Sequence, residues 1–188
     1  AAAERGIYTA LIYTDSEDEW IRRFPEAGEY YLGYDFGERF TFSFANAVAQ
    51  GKKSGEVTLK MLADDLLARV KQHVDERHAK GWGHVMATSS NFYIDYEVAA
   101  GTDIPLVEDF AFCHLNQASA LSRGLYRQYD LPLWGSHLAH EHYAWIPEKS
   151  GLRMDLLRAA FQQKYMAGSK MIINESGNWF VEVSLYED

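Results

Sequence analysis

The amino-acid sequence predicts a parallel α/β fold that closes toward a (β/α)-barrel, and three observations carry this prediction. Amphipathic stretches alternate with short apolar runs along the 188 residues. Glycines such as Gly81, Gly101 and Gly168 close the amphipathic stretches, as helix C-caps do. Each apolar run ends in polar residues, and parallel strands joined by helical crossovers bring such ends to one rim.

Two strands and one long helix are predicted in the first part of the chain. Tyr8–Tyr13 and, after Gly28, Tyr30–Tyr34 have the aromatic and apolar content of strands, and the first is the weaker prediction. A helix is predicted over Val57–Lys80, because apolar residues recur there every three or four positions. The residues of this stripe are Leu59, Leu62, Leu66, Val70 and Val74.

The middle of the chain repeats the pattern of strand, helix and strand. His84–Thr88 is a predicted strand that ends in a run of polar residues. A short helix from near Asn91 to Ala100 follows it. The apolar run Ile104–Val107 is the next strand, and it leads directly into Glu108 and Asp109.

Two further helix and strand pairs complete the prediction. Leu131–Gly135 is a strand that opens onto His137, and Lys170–Ile173 is a strand that leads into Asn174 and Glu175. A helix precedes each of these strands. The apolar stripes of the two helices are Leu115, Ala118, Leu121, Leu125 and Tyr129, and Leu152, Leu156, Ala160, Phe161 and Tyr165.

Two architectures fit this order of elements: a barrel of the TIM type and an open doubly wound parallel sheet. Length favours the sheet, because a full barrel usually needs about 250 residues. The glycines of Gly33–Gly37 do not form a dinucleotide fingerprint, and no phosphate-binding loop motif occurs. Polar residues at nearly every strand end favour the barrel. We therefore expect one domain over residues 1–188, a partial barrel or a fragment whose sheet edges a partner chain or further sequence completes.

Composition excludes several classes of function. A formal net charge of -9 and a pI near 5.2 disfavour nucleic-acid binding, which needs a basic face. No apolar run reaches the ~20 residues of a membrane-spanning helix. Cys113 is the only cysteine, so no intrachain disulfide can form. The sequence does not determine the cellular location of the protein, and a secreted or periplasmic location is slightly favoured.

Glu175 and Glu108 are the candidate catalytic residues. Each follows an apolar run, so its carboxylate is expected in a pocket at the rim, although a carboxylate that caps a turn is the alternative. Two carboxyl groups from different strands suit glycoside hydrolysis, in which one protonates the leaving oxygen and the other attacks or activates water. Separations of about 5–5.5 Å imply retention and about 6.5–9.5 Å inversion.

Further polar and aromatic residues at the strand ends are candidate binding groups for sugar hydroxyls and sugar rings. For Asp35 and Glu38, an ion pair with Arg39 or a cap of the turn is an equal alternative to the binding of sugar hydroxyls. The candidates are Asp35, Glu38, Asn91, Asp109, Trp134, His137, His140, Glu141, Tyr143 and Asn174.

A metal site is the alternative for the histidine-rich segment. His137, His140 and His142 supply imidazoles at close spacing, but the helical zinc motif with two histidines four residues apart around a glutamate is absent. The main hypothesis therefore includes no metal and no cofactor.

Several segments together resemble the retaining glycoside hydrolases built on TIM barrels. In those enzymes an Asn–Glu pair at a strand end carries the acid/base glutamate, and Asn174–Glu175 is similar to it. The resemblance implies a nucleophilic glutamate on a later strand, where only Glu182 and Glu187 occur, so Glu108 is the expected partner unless the nucleophile lies outside this chain. The segments are Gly33–Glu38, Asn91–Glu97, Val107–Asp109, Trp134–His137 and Ile172–Ser176.

The sequence therefore predicts a carbohydrate-active hydrolase that cleaves an oligo- or polysaccharide with Glu175 and Glu108. One alternative is a metal-dependent barrel hydrolase or isomerase that uses His137, His140 and His142. The other is a barrel that binds sugar without catalysis.

Overall fold

A computed structural model of the chain describes residues 3–6, 8–12, 24–40, 46, 49, 58–88, 93–109, 114–139 and 151–174. Tyr13, the last residue of the predicted strand Tyr8–Tyr13, lies outside these ranges, as do the predicted rim residues after Asn174. The predicted strand Leu131–Gly135 lies within them but has different bounds, as described below. None of the described helices is both long enough and apolar enough to cross a bilayer.

Strands and helices alternate along the described chain. The strands are β1 (Thr9–Ile12), β2 (Tyr31–Asp35), β3 (His84–Ala87), β4 (Ile104–Asp109), β5 (Gly135–Leu138) and β6 (Met171–Asn174). The helices are α1 (Phe24–Ala27), α2 (Leu59–Ala79), α3 (Ile94–Ala99), α4 (Leu115–Gln128) and α5 (Gly151–Ala167), with 3-10 turns at Ala3–Arg5 and Gly28–Tyr30.

In the first half of the chain β1 pairs with β2 and β2 with β3, in the second half β4 pairs with β5 and β5 with β6, and every described pair is parallel. Helical crossovers between successive strands produce this arrangement. The predicted parallel α/β fold is confirmed. Within it the chain divides into two compact units, Ala1–Ile104 and Pro105–Asp188.

In the first unit, α2 packs the predicted apolar stripe into the core. Leu62, Leu66, Val70 and Val74 are buried, whereas Leu59 is exposed at the start of the helix. Thr58 begins the helix, because its hydroxyl accepts a hydrogen bond from the Met61 amide at 3.2 Å and so caps a free N–H.

In the second unit, the buried face of α5 differs from the predicted stripe. Leu157 and Ala160 pack against Leu138 of β5, and Lys164 is fully buried one turn further on. Leu152, Leu156, Phe161 and Tyr165, four members of the predicted stripe, are exposed. A lysine on the buried side interrupts the apolar periodicity, so the pattern of apolar residues indicates the wrong face.

The strand β5 begins where the sequence predicts its end. Leu131 donates its amide to the Tyr126 carbonyl at 3.0 Å and thus belongs to the turn that closes α4. Pro132 has no amide hydrogen to give to a strand neighbour. Gly135 starts the strand where a side chain would collide with Leu106 and Met171. His137 consequently lies within β5 rather than after it.

Candidate functional site

The carboxyl ends of the strands in the second unit present two different surfaces. Leu138 packs on α5, so its side of the sheet is the helix face. Side chains alternate along a strand, and residues in register on neighbouring strands share a face. Leu138 is in register with Asp109, and His137 is in register with Glu108. Asp109 therefore belongs to the helix face, and Glu108 and His137 share the opposite face.

Glu108 and His137 form the candidate functional site. They are neighbours in the β4–β5 ladder, and each is the second-last residue of its strand. Both are buried, with 5% and 7% of their surface exposed. A carboxylate beside an imidazole is a common arrangement for holding the imidazole in one tautomer and for moving a proton.

Behind this site, on the helix face, Asp109 forms a fully buried ion pair with Lys164 of α5. The Lys164 ammonium also donates to the Leu115 carbonyl at 3.0 Å and to the Ser119 hydroxyl at 2.9 Å. Burial raises the pKa of Asp109, while Lys164 and then His137 oppose the rise. Asp109 is thus engaged by protein groups on the side away from Glu108.

In the first unit, Asp35 is the last residue of β2, and hydrogen bonds fix its carboxylate. One carboxylate oxygen accepts the Gly37 amide at 2.8 Å and the Thr88 hydroxyl at 3.4 Å. The bond to Gly37 is the turn cap that sequence reasoning gave as the alternative to sugar binding. Asp35 is fully buried, and Glu38, which follows Gly37 directly, is half-buried.

The remaining predicted site residues fall into two groups. Trp134 is buried just before β5, and Asn174 is half-buried in register with Leu138 on the helix face. The others lie outside the described residues: Glu175, Asn91, His140, Glu141, His142 and Tyr143.

Within the described ranges, no three histidine, cysteine, aspartate or glutamate side chains lie close enough to hold a metal ion. Glu108 and His137 have the donor types that divalent metals take, but they supply two donors and not three. The described residues alone therefore do not make a metal centre.

Sequence reasoning did not identify Lys164. The one available signal was its spacing, four residues after Ala160 and seven after Leu157, which puts it on the buried side of α5. This spacing predicts that Lys164 is buried only if it is already known that Leu157, and not Leu156, faces the core.

Comparison with known proteins yields no matching family model and no matching curated protein. The chain is similar to a crystal structure described as a "putative phosphonomutase" from Burkholderia cenocepacia J2315, at 12% sequence identity. The TM-score is 0.56, over 89% of this chain and 68% of the other. Together with the six parallel strands, this likeness confirms the predicted parallel barrel-type fold.

The same comparison contradicts the predicted glycoside hydrolase. The similar structure carries a different description, so the resemblance to retaining barrel glycosidases, the hydrolase function and the carbohydrate role are withdrawn. The physical reason is that every parallel barrel gathers polar residues at its strand ends, whatever reaction it catalyses. An Asn–Glu pair at such an end is therefore a weak indicator of sugar chemistry.

Proposed function

We propose that this chain is an isomerase of the phosphonomutase type, which moves a phosphoryl group between carbon and oxygen of one substrate. The observation that carries the proposal is the buried Glu108 and His137 pair, in register at the carboxyl ends of β4 and β5. The likeness in fold to a structure described as a "putative phosphonomutase" supports the choice of reaction.

The chemistry of the reaction defines the substrate class. A carbon–phosphorus bond breaks heterolytically only when the electron pair left on carbon is delocalised, so the substrate needs a carbonyl next to the phosphorus-bearing carbon. We take a 2-oxo-3-phosphono carboxylic acid as the substrate and its enol phosphate as the product. The C–P bond breaks, an O–P bond forms at the enolate oxygen, and atoms and charge are conserved without a co-reactant.

Glu108 and His137 have complementary roles in this proposal. Neighbouring strands are about 4.8 Å apart, so groups in register can act on the same substrate. His137 donates a hydrogen bond to the carbonyl oxygen, where negative charge develops when the C–P bond breaks. Glu108 accepts a hydrogen bond from the other ring nitrogen and stabilises the imidazolium, in which both nitrogens carry a proton and His137 can donate.

Dependence on a divalent metal is part of the proposal. His140 and His142, outside the described residues, would supply imidazole ligands, and Glu108 its second carboxylate oxygen. A divalent cation would neutralise the negative charge on the phosphoryl and carboxylate groups of the substrate. Without it, a chain with a net charge of -9 disfavours binding of an anionic substrate. Elemental analysis of the purified protein before and after chelator treatment tests this part separately.

The first prediction concerns the reaction itself. Phosphorus-31 NMR of 3-phosphonopyruvate mixed with the protein and Mg²⁺ should show conversion of the phosphonate signal into an enol phosphate signal. His137→Asn and Glu108→Gln should each lower kcat roughly 100-fold, because each removes a group that acts in the transition state. The matched control is His114→Asn, at an exposed histidine, which should retain full activity.

Two results would contradict the proposal. If 3-phosphonopyruvate and phosphoenolpyruvate both persist with Mg²⁺, Mn²⁺ or Zn²⁺ present, the chain is not a mutase of this class. If inorganic phosphate appears in place of the enol phosphate, the reaction is hydrolysis, which is the other branch of the metal-dependent alternative.

A further inference from the structure

Lys164 is an unusual residue for its position on α5. Its side chain is fully buried, whereas the other buried residues on this side of the helix, Leu157 and Ala160, are apolar. Its three N–H donors face three oxygens: the Asp109 carboxylate, the Leu115 carbonyl and the Ser119 hydroxyl. The ammonium is therefore coordinated in three directions rather than merely neutralised.

Core filling alone does not explain this residue. A buried ion pair gives up the hydration of both charges, so apolar residues of similar volume commonly stabilise a fold as well or better. Methionine would continue the apolar side of α5 formed by Leu157 and Ala160. What methionine cannot do is fix oxygens of two different elements in one geometry.

The three contacts join the start of α4 to the end of β4. Leu115 and Ser119 lie in the first turns of α4, and Asp109 is the last residue of β4. The Asp109 carbonyl in turn accepts the Ala139 amide at 3.0 Å, directly after β5. The clamp around Lys164 thus reaches the ends of both strands that carry the candidate site.

We propose that Lys164 is a positioning residue, which sets the geometry of Glu108 and His137 through Asp109. Asp109 adjoins Glu108 in β4, and its carbonyl anchors the segment that follows His137 and Leu138 in β5. Lys164 lies on the helix face and does not touch a substrate on the opposite face. The expected effect of Lys164 on kcat rests on the proposed function. Its expected effect on the geometry of Glu108 and His137 does not.

The test compares Lys164→Met, the double variant Lys164→Met/Asp109→Leu, and Lys71→Met. Lys71 pairs with Asp75 on the exposed side of α2, at 2.9 Å, and is the matched control for loss of a lysine ion pair. Three quantities are measured: the urea midpoint of unfolding, kcat and KM in the phosphorus-31 assay, and the ¹H–¹⁵N signals of the His137 ring.

Lys164→Met leaves the Asp109 carboxylate buried without its cation, so its urea midpoint should fall. The double variant removes both charges, so its midpoint should return toward the wild-type value. Its kcat should nevertheless stay roughly 10- to 100-fold low with KM little changed, since misplacement of reacting groups affects the chemical step. The His137 ring signals should be displaced in the double variant and unchanged in Lys71→Met.

The inference is overturned if the double variant has wild-type kcat and wild-type His137 signals, because the pair then only fills the core. It is also overturned if the double variant does not fold, because the pair is then inseparable from the core. If the wild-type protein has no mutase activity, the proposed function fails and the His137 signals alone decide. Displaced signals support the positioning role, and unchanged signals refute it.

Discussion

His73 is buried in an aromatic cluster of the first unit. Its ring centroid lies 5.8 Å from that of Tyr34, 5.6 Å from Phe36 and 5.4 Å from Phe40. Burial, and after it the positive charges of Arg77, Arg39 and Lys80, lower the pKa of His73 to about 3. The imidazole is therefore neutral in the folded protein and packs as an aromatic ring.

The lowered pKa of His73 predicts that the free energy of unfolding decreases as the pH falls. Between a pKa near 6.5 when unfolded and about 3 when folded, the unfolded chain binds a proton at His73 that the folded chain does not. The contribution is fully present above the unfolded pKa and is lost as the pH falls toward 3. His73→Phe keeps a ring in the cluster and should flatten the fall in stability over this range, measured by urea unfolding at several pH values.

The control for this prediction is Leu59→Ala, at an exposed residue without a titratable group, which should leave the shape of the pH profile of the free energy of unfolding unchanged. An identical fall of stability with pH in His73→Phe and in the wild-type protein would show that His73 is protonated in the folded state.

At the scale of elements, the pairing of β2 with β3 depends on a missing side chain. Gly33 is in register with His84 and has φ +147°, a conformation that other residues rarely adopt. A β-carbon there would collide with the His84 carbonyl oxygen and lie 2.7 Å from its amide nitrogen. Gly33→Ala should therefore lower the free energy of unfolding by about 3 kcal/mol or more.

The matched control is Gly124→Ala on α4. A β-carbon at Gly124 meets no atom within 4 Å, so alanine should stabilise the helix by up to about 1 kcal/mol. Both variants are compared by urea unfolding of the whole chain. Equal stability of Gly33→Ala and the wild-type protein would mean that β2 and β3 are not paired in this register.

The elements predicted best are those whose signal is local. The strand β4 was predicted over Ile104–Val107 and spans Ile104–Asp109, because an apolar run ending in acids is visible in the sequence itself. The strand β5 was misplaced, because Leu131 and Leu133 look like strand residues although the Leu131 amide closes α4. Local patterns do not reveal where an amide finds its acceptor.

The candidate site was only partly predictable for a related reason. Glu108 and His137 were both identified from their places near strand ends. Their shared face follows from the register of β4 with β5, and the opposite placement of Asp109 follows from its contact with Lys164. Register and helix rotation are set by packing between distant segments, which no local spacing encodes.

At the scale of the whole molecule, fold and function separate. The alternation of helices and apolar strands was sufficient to predict the parallel barrel-type fold, because it is imposed by how helices and strands cover each other. The reaction was not predictable in the same way. Strand-end acids are common to barrels of many activities, so they led to the wrong enzyme class.

The net charge of -9 makes a last prediction about the proposed reaction. A phosphono acid is an anion, so the field of the whole molecule opposes its approach, and salt screens that field. Raising KCl from about 20 to about 200 mM should increase kcat/KM for 3-phosphonopyruvate by about two- to fivefold at saturating Mg²⁺. Lys60→Glu, at an exposed lysine remote in sequence from the site, should steepen this dependence. A kcat/KM that falls with salt in both proteins would mean that a local positive potential attracts the substrate.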